Sequence, residues 1–107
     1  MTRERDVRRI VVHTLRVLGC RVLVLSDSRS AASRNTPGTP DLYAILPGRR
    51  GGLWVELKAP GGKLREPQQE FADACERAGI PHVYGGLPDV LDYLHRLGVT
   101  GAVAPGP

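Results

Sequence analysis

The chain of 107 residues has a net charge of +4, with 41% hydrophobic and 24% charged residues. That is enough for one modest core and too little for two domains, in proportions ordinary for a globular protein. No apolar run approaches the roughly 20 residues that span a bilayer. The opening Met1-Thr2-Arg3-Glu4-Arg5-Asp6 lacks the charged-then-apolar order of a signal peptide. Cys20 and Cys75 stand far apart and form no CxxC pair, which argues against a disulfide framework or zinc site and for a reducing, cytoplasmic setting. The charge is unevenly spread: residues 1–34 hold eight arginines against Glu4, Asp6 and Asp27, while the rest of the chain is nearly balanced. Thirteen of the fifteen basic residues are arginine, whose guanidinium forks onto phosphate. Codon bias and solubility are the plain alternative explanation.

The first segment reads as a helix, because Val7, Ile10, Val11, Leu15 and Leu18 fall on one face. Thr2 is its expected N-cap and Gly19 its stop. Arg21–Leu25 reads as a short buried strand. Residues 26–40, rich in Ser, Pro and Gly and holding Arg29 and Arg34, read as a long surface loop. Two strands, Asp41–Leu46 and Leu53–Ala59, flank a Gly-rich turn at 47–52 and predict an antiparallel hairpin. Pro60-Gly61-Gly62 breaks the second strand. A helix runs from Pro67 to Ala78 with Gly79 past its end, Pro81–Tyr84 forms a fourth strand, and Asp89–Leu97 forms a third helix with Val90, Leu91, Leu94 and Leu97 on one side. The order α-β-β-β-α-β-α implies an α/β sandwich around a mixed sheet, with a single domain over 1–98 and a frayed tail over 99–107.

Chemistry concentrates around the hairpin. Alternation along a strand places Glu56 and Lys58 on one face with Trp54, and Leu53, Val55 and Leu57 on the other. Asp41 opens the partner strand, so the hairpin brings it near both. Two carboxylates and an ammonium suit metal-assisted phosphodiester hydrolysis, the carboxylates binding a hard divalent cation and the lysine serving a water. The alternative is an exposed strand face carrying a surface ion pair, common and energetically small. Two further polar residues sit on apolar helical stripes. Glu4 lies about 20° around the helix from Val11 and Leu15, and Gln68 shares a face with Phe71, Ala72 and Cys75. First-turn solvation would explain each; convergence on one cleft would explain both. His13 reads as exposed, and His82 and His95 as structural. The glycines of 48–52 lack the lysine and hydroxyl of a P-loop. Arg49 and Arg50 at the hairpin tip either contact DNA or solubilise a turn.

Gly38-Thr39-Pro40-Asp41-Leu42, Val55-Glu56-Leu57-Lys58, Gly62-Lys63-Leu64 and Gln68-Gln69-Glu70-Phe71 together resemble the VRR-NUC family of the PD-(D/E)xK superfamily. The resemblance spans roughly residues 4–95. It implies a restriction-endonuclease-like α/β fold and a deoxyribonuclease using Mg²⁺ or Mn²⁺. The family's catalytic Asp maps to Asp41, its second metal carboxylate to Glu56, its lysine to Lys58, its helix glutamine to Gln68 and its N-terminal glutamate to Glu4. The metal is then expected on Asp41, Glu56 and the Leu57 carbonyl, and DNA on Arg29, Arg34, Arg49, Arg50 and Lys63. The resemblance further implies a homodimer acting on branched DNA; a second copy would also bury apolar area that so small a chain leaves exposed, with the third helix (Val90, Leu94, Leu97) or strand 21–25 as contact surface. A non-catalytic DNA-binding module of the same fold is the rival expectation.

Overall fold

Apolar spacing sets the first element. In the computed structural model, which describes residues 3–26 and 36–99, helix α1 (Glu4–Val17) buries Val7, Val11, Val12 and Leu15. Ile10, grouped with that stripe on sequence, lies about 60° beyond Val7 around the helix and is 45% exposed. Arg3 is the N-cap and makes no side-chain cap bond. Thr2, the expected cap, lies outside the described residues, as do residues 27–35 of the long loop and 100–107 of the tail.

The chain continues through β1 (Arg21–Val24), β2 (Leu42–Ile45), β3 (Gly52–Leu57), α2 (Glu66–Ala78), β4 (His82–Gly85) and α3 (Leu87–Arg96). The sheet runs β1-β2-β3-β4, antiparallel in its first two pairings and parallel between β3 and β4. The α/β class, the element order and the mixed sheet therefore stand as the sequence predicts. Parallel pairing of β3 and β4 requires a crossover, and α2 supplies it.

Each face of the sheet has its own cover. Leu42, Ala44, Leu53, Val55, Leu57 and Val83 form one core with α1 and with Val90 and Leu94 of α3. The opposite face carries Tyr43, Trp54 and His82 in register. Phe71 of α2 meets the Trp54 ring edge-on at 5.2 Å, and Tyr43 flanks it at 4.6 Å. His82, 6.1 Å from Phe71, is half-buried, and burial lowers its pKa. It packs as a structural residue, in line with its sequence reading.

Three expectations change. β1 is not buried: only β2 flanks it, and Leu23 and Val24 are exposed. Val90 and Leu94 are consumed by the domain's own core, so α3 cannot offer them to a second copy, and Leu91 is exposed off that stripe. Val99, read as the start of a loose tail, is buried and bonds its N–H to Leu94 O at 2.9 Å.

One glycine couples the two sides of the fold. Gly38 has a φ of +91°, and a Cβ there would overlap the Pro67 carbonyl at the start of α2. Gly38→Ala is therefore expected to cost about 1–3 kcal/mol from strain, read by urea denaturation. An unchanged midpoint would contradict this close approach.

Candidate active site

The open end of the β2–β3 hairpin carries the acidic groups. Leu42 pairs with Val55, so Asp41, one residue earlier, falls beside the end of β3. Its Oδ2 accepts the Leu57 N–H at 2.8 Å. Lys58 continues the β3–β4 ladder by donating its N–H to Gly85 O at 2.9 Å. Among the described residues Glu56 and Lys58 are the buried charged ones, at 3% and 7% exposure. The exposed surface ion pair allowed by the sequence is thereby excluded.

Gln68 ties the pair together. Its Oε1 accepts from Lys58 Nζ at 2.9 Å and from Arg65 N–H at 2.8 Å. Its Nε2 donates to Glu56 Oε2 at 3.0 Å, and Lys58 Nζ stands 3.6 Å from that same oxygen. Gln68 is the third residue of α2, where a Gln side chain reaching back to the N-cap amide is half of a capping box. One oxygen thus serves both the helix start and the lysine.

Burial pushes the Glu56 carboxyl up from 4.5 to about 8. The negative charge of Asp41 adds to this, Lys58 opposes it, and a hydrogen bond with Asp41 and the charge of Glu4 raise it further. Glu4 is exposed overall but lines a concavity of about 340 Å³ with Arg5, Arg8, Ser26, Asp41 and Leu57. Among the described residues no three His, Cys, Asp or Glu side chains are grouped to hold a metal by themselves. The donor set nevertheless suits a hard cation, because Asp41 and Glu56 are close enough for each other's charge to be felt and both offer carboxylate oxygens, with Leu57 lining the same concavity as Asp41.

The structure thus gathers Glu4, Asp41, Glu56, Leu57, Lys58 and Gln68 at one end of the sheet. Lys63 is exposed in the loop that follows Lys58. Arg29 and Arg34 lie outside the described residues. Arg49 and Arg50 occupy the hairpin tip, at the far end of β2 and β3 from Asp41. The Arg50 guanidinium is tied down, donating to Leu97 O at 3.1 Å and Pro47 O at 3.2 Å. Sequence reasoning counted Arg8 only among the arginines of the N-terminal third expected to grip DNA; it donates to both Ser26 O and Ser26 Oγ at 3.3 Å. Its signal was the one used for Glu4: Arg8 falls about 20° from Leu15, inside the buried arc of α1.

The family model of the VRR-NUC domain matches residues 19–86. The chain belongs to the VRR-NUC family. A solved structure described as a VRR-NUC domain shares 26% identity, covering 90% of this chain and 97% of that one, with a TM-score of 0.69. No curated protein matches the chain. VRR-NUC membership brings a nuclease-like fold. Glu4 and Arg8, on α1, precede the residues that match the VRR-NUC model.

The raised Glu56 pKa has a consequence for stability. The folded state binds this proton more tightly than the unfolded chain, so burying Glu56 costs nothing extra below about pH 4.5 and progressively more up to about pH 8. In EDTA, stability should fall as pH rises through that window, and Glu56→Gln should remove this part of the decline. Denaturation midpoints measured across the window decide it; parallel pH profiles for the two proteins would contradict the assignment.

Proposed function

We propose that this VRR-NUC domain is a divalent-metal-dependent endonuclease that hydrolyses DNA phosphodiester bonds. The observation that carries the reading is the buried Glu56–Lys58 pair, bridged by Gln68 beside Asp41. A buried ion pair is a poor source of stability, so its retention is better explained by chemistry. A non-catalytic DNA-binding module of the same fold would have no use for a buried lysine.

Asp41, Glu56 and the Leu57 carbonyl would hold Mg²⁺ or Mn²⁺, which when bound supplies Lewis acidity to the phosphodiester. Lys58, tethered through one N–H by Gln68, turns its remaining N–H bonds on the attacking water and the phosphate oxygens. Gln68 fixes the direction of that ammonium. Glu4, on the wall of the concavity, acts through a water. Arg29, Arg34, Arg49 and Lys63 supply contacts to the DNA backbone, while Arg50 has a structural occupation in addition.

The finer reading is a homodimer that prefers branched DNA, since a symmetric junction needs two cuts and a two-fold pair of active sites matches it. With Val90 and Leu94 buried, the exposed Leu23 and Val24 of the β1 edge are the remaining contact surface of the two considered. Both cysteines are free and buried, which suits a reducing cytoplasm. No helix among the described residues is long and apolar enough to cross a membrane.

Cleavage of a labelled substrate should require Mg²⁺ or Mn²⁺ and stop in EDTA. Asp41→Ala, Glu56→Ala and Lys58→Ala should each reduce it by on the order of 10²-fold or more, without additivity, because the three act as a unit. DNA binding should survive Lys58→Ala. A Lys58→Ala protein that cuts at a near-normal rate would sink the mechanism. Light scattering at micromolar concentration should give a dimeric mass, and a four-way junction should outcompete linear duplex of equal length. A monomeric mass with no junction preference would reject that finer reading alone.

A further inference from the structure

A second depression runs along α1. Arg5, Arg8, Arg9, His13 and Arg16, with one carboxylate, Asp6, and with Val12 and Val24 at the edge, line a groove of about 630 Å³. Arg5 and Arg8 also line the concavity that holds Glu4, Asp41 and Leu57. The basic groove and the acidic site therefore share a wall. Helical geometry explains the alignment: Arg5, Arg9 and Arg16 fall within about 40° of one another, and Arg8 is rotated from them toward Ser26 and the site.

Arg8 is tied to Ser26 and Arg16 sits in the last turn of α1, but among the described residues no carboxylate pairs with these charges. Glu4 stands four residues before Arg8 and Asp6 three before Arg9, spacings that allow helix ion pairs. Yet among the described residues the ion pairs are Glu56–Lys58 and Asp92–Arg96. No arginine of α1 is in one. Arg3 at the N-cap and Arg5 in the first turn also sit at the positive end of the helix dipole, and Arg5 faces Arg8 and Arg9 at i+3 and i+4. Each arrangement is mildly unfavourable by itself. A row of guanidiniums without carboxylate partners among the described residues is what an external polyanion neutralises.

We propose that this groove is the track for the sugar–phosphate backbone of the strand entering the Asp41–Glu56–Lys58 site, with Arg8 at the junction. The proposal rests on the nuclease reading above and adds the path of the substrate. From Arg5 to Arg16 the helix rises about 16 Å. A duplex strand rises about 3.4 Å per phosphate, so Arg5, Arg9 and Arg16 can each take a separate phosphate. His13, exposed in the same groove, sits beside them.

The test compares Arg9→Gln/Arg16→Gln with Arg77→Gln, a control on α2 outside the groove. Binding of a fluorescein-labelled duplex is followed by anisotropy in EDTA from low to physiological salt. The slope of log affinity against log salt should shrink by about 2 in the double variant, close to 1 for each lost phosphate contact. Arg77→Gln should keep the wild-type slope. An unchanged slope in the double variant overturns the track, as does a loss of about 1 in Arg77→Gln, the same per charge removed, which would reduce the effect to net charge. Because binding is read without metal, failure of cleavage leaves this result standing. Loss of the slope effect with cleavage intact rejects the track and spares the nuclease.

Discussion

Burying Glu56 and Lys58 together is the constraint from which the rest of this domain's architecture follows. Burying such groups is costly, and burial drives the Glu56 carboxyl up to about 8. The two side chains must therefore be held from several directions. The β3–β4 ladder fixes the Lys58 backbone through Gly85, and α2 delivers Gln68 to both charged groups. Phe71, one turn further along α2, anchors that helix on Trp54. Gly38 lets the segment before Asp41 pass against the start of α2. Each contact looks local, and each serves the same few atoms.

The site's electrostatics are left incomplete on purpose-like terms that the fold alone does not explain. Lys58 offsets only part of what burial, and then Asp41 and Glu4, impose on Glu56, and the carboxyl rises to about 8. On the adjoining wall Arg5 and Arg8 carry cations without carboxylate partners among the described residues. The concavity thus holds the carboxylates of Glu4 and Asp41 and the guanidiniums of Arg5 and Arg8 without an ion pair between them among the described residues. A cation on the carboxylates and a phosphate on the arginines would satisfy both at once.

Much of this was legible in the sequence because it depends on period. Alternation in Val55-Glu56-Leu57-Lys58 assigned the two faces of β3, and the hairpin turn fixed which residues lie opposite. Polar residues on apolar stripes pointed to Gln68 and Glu4. What was not legible depends on neighbours in space. A four-residue aliphatic run reads as buried, but among the described residues β1 lies at the sheet edge, paired on one side alone. Ile10 reads as core at i+3 from Val7, but α1 and the sheet do not close over that flank. Arg8 was not singled out because an arginine among many arginines looks like background, although its helical angle matched the one that exposed Glu4.

The arginines divide by where they stand relative to helix ends. Arg50 donates to the Leu97 carbonyl just past α3, where carbonyl dipoles point outward and a cation is worth about 0.3–1 kcal/mol. Arg96, in the last turn of α3, pairs with Asp92 and lies over the Tyr93 ring. Arg77 occupies the last turn of α2. These positions are accounted for by the fold. Arg5 is set at the opposite pole, where the dipole disfavours it, and Arg8 is half-buried beside an acidic site. Stability selects the first group and offers no reason for the second. A charge kept where its own helix repels it, with no carboxylate partner among the described residues, fits the phosphate proposed above against the open end of the hairpin.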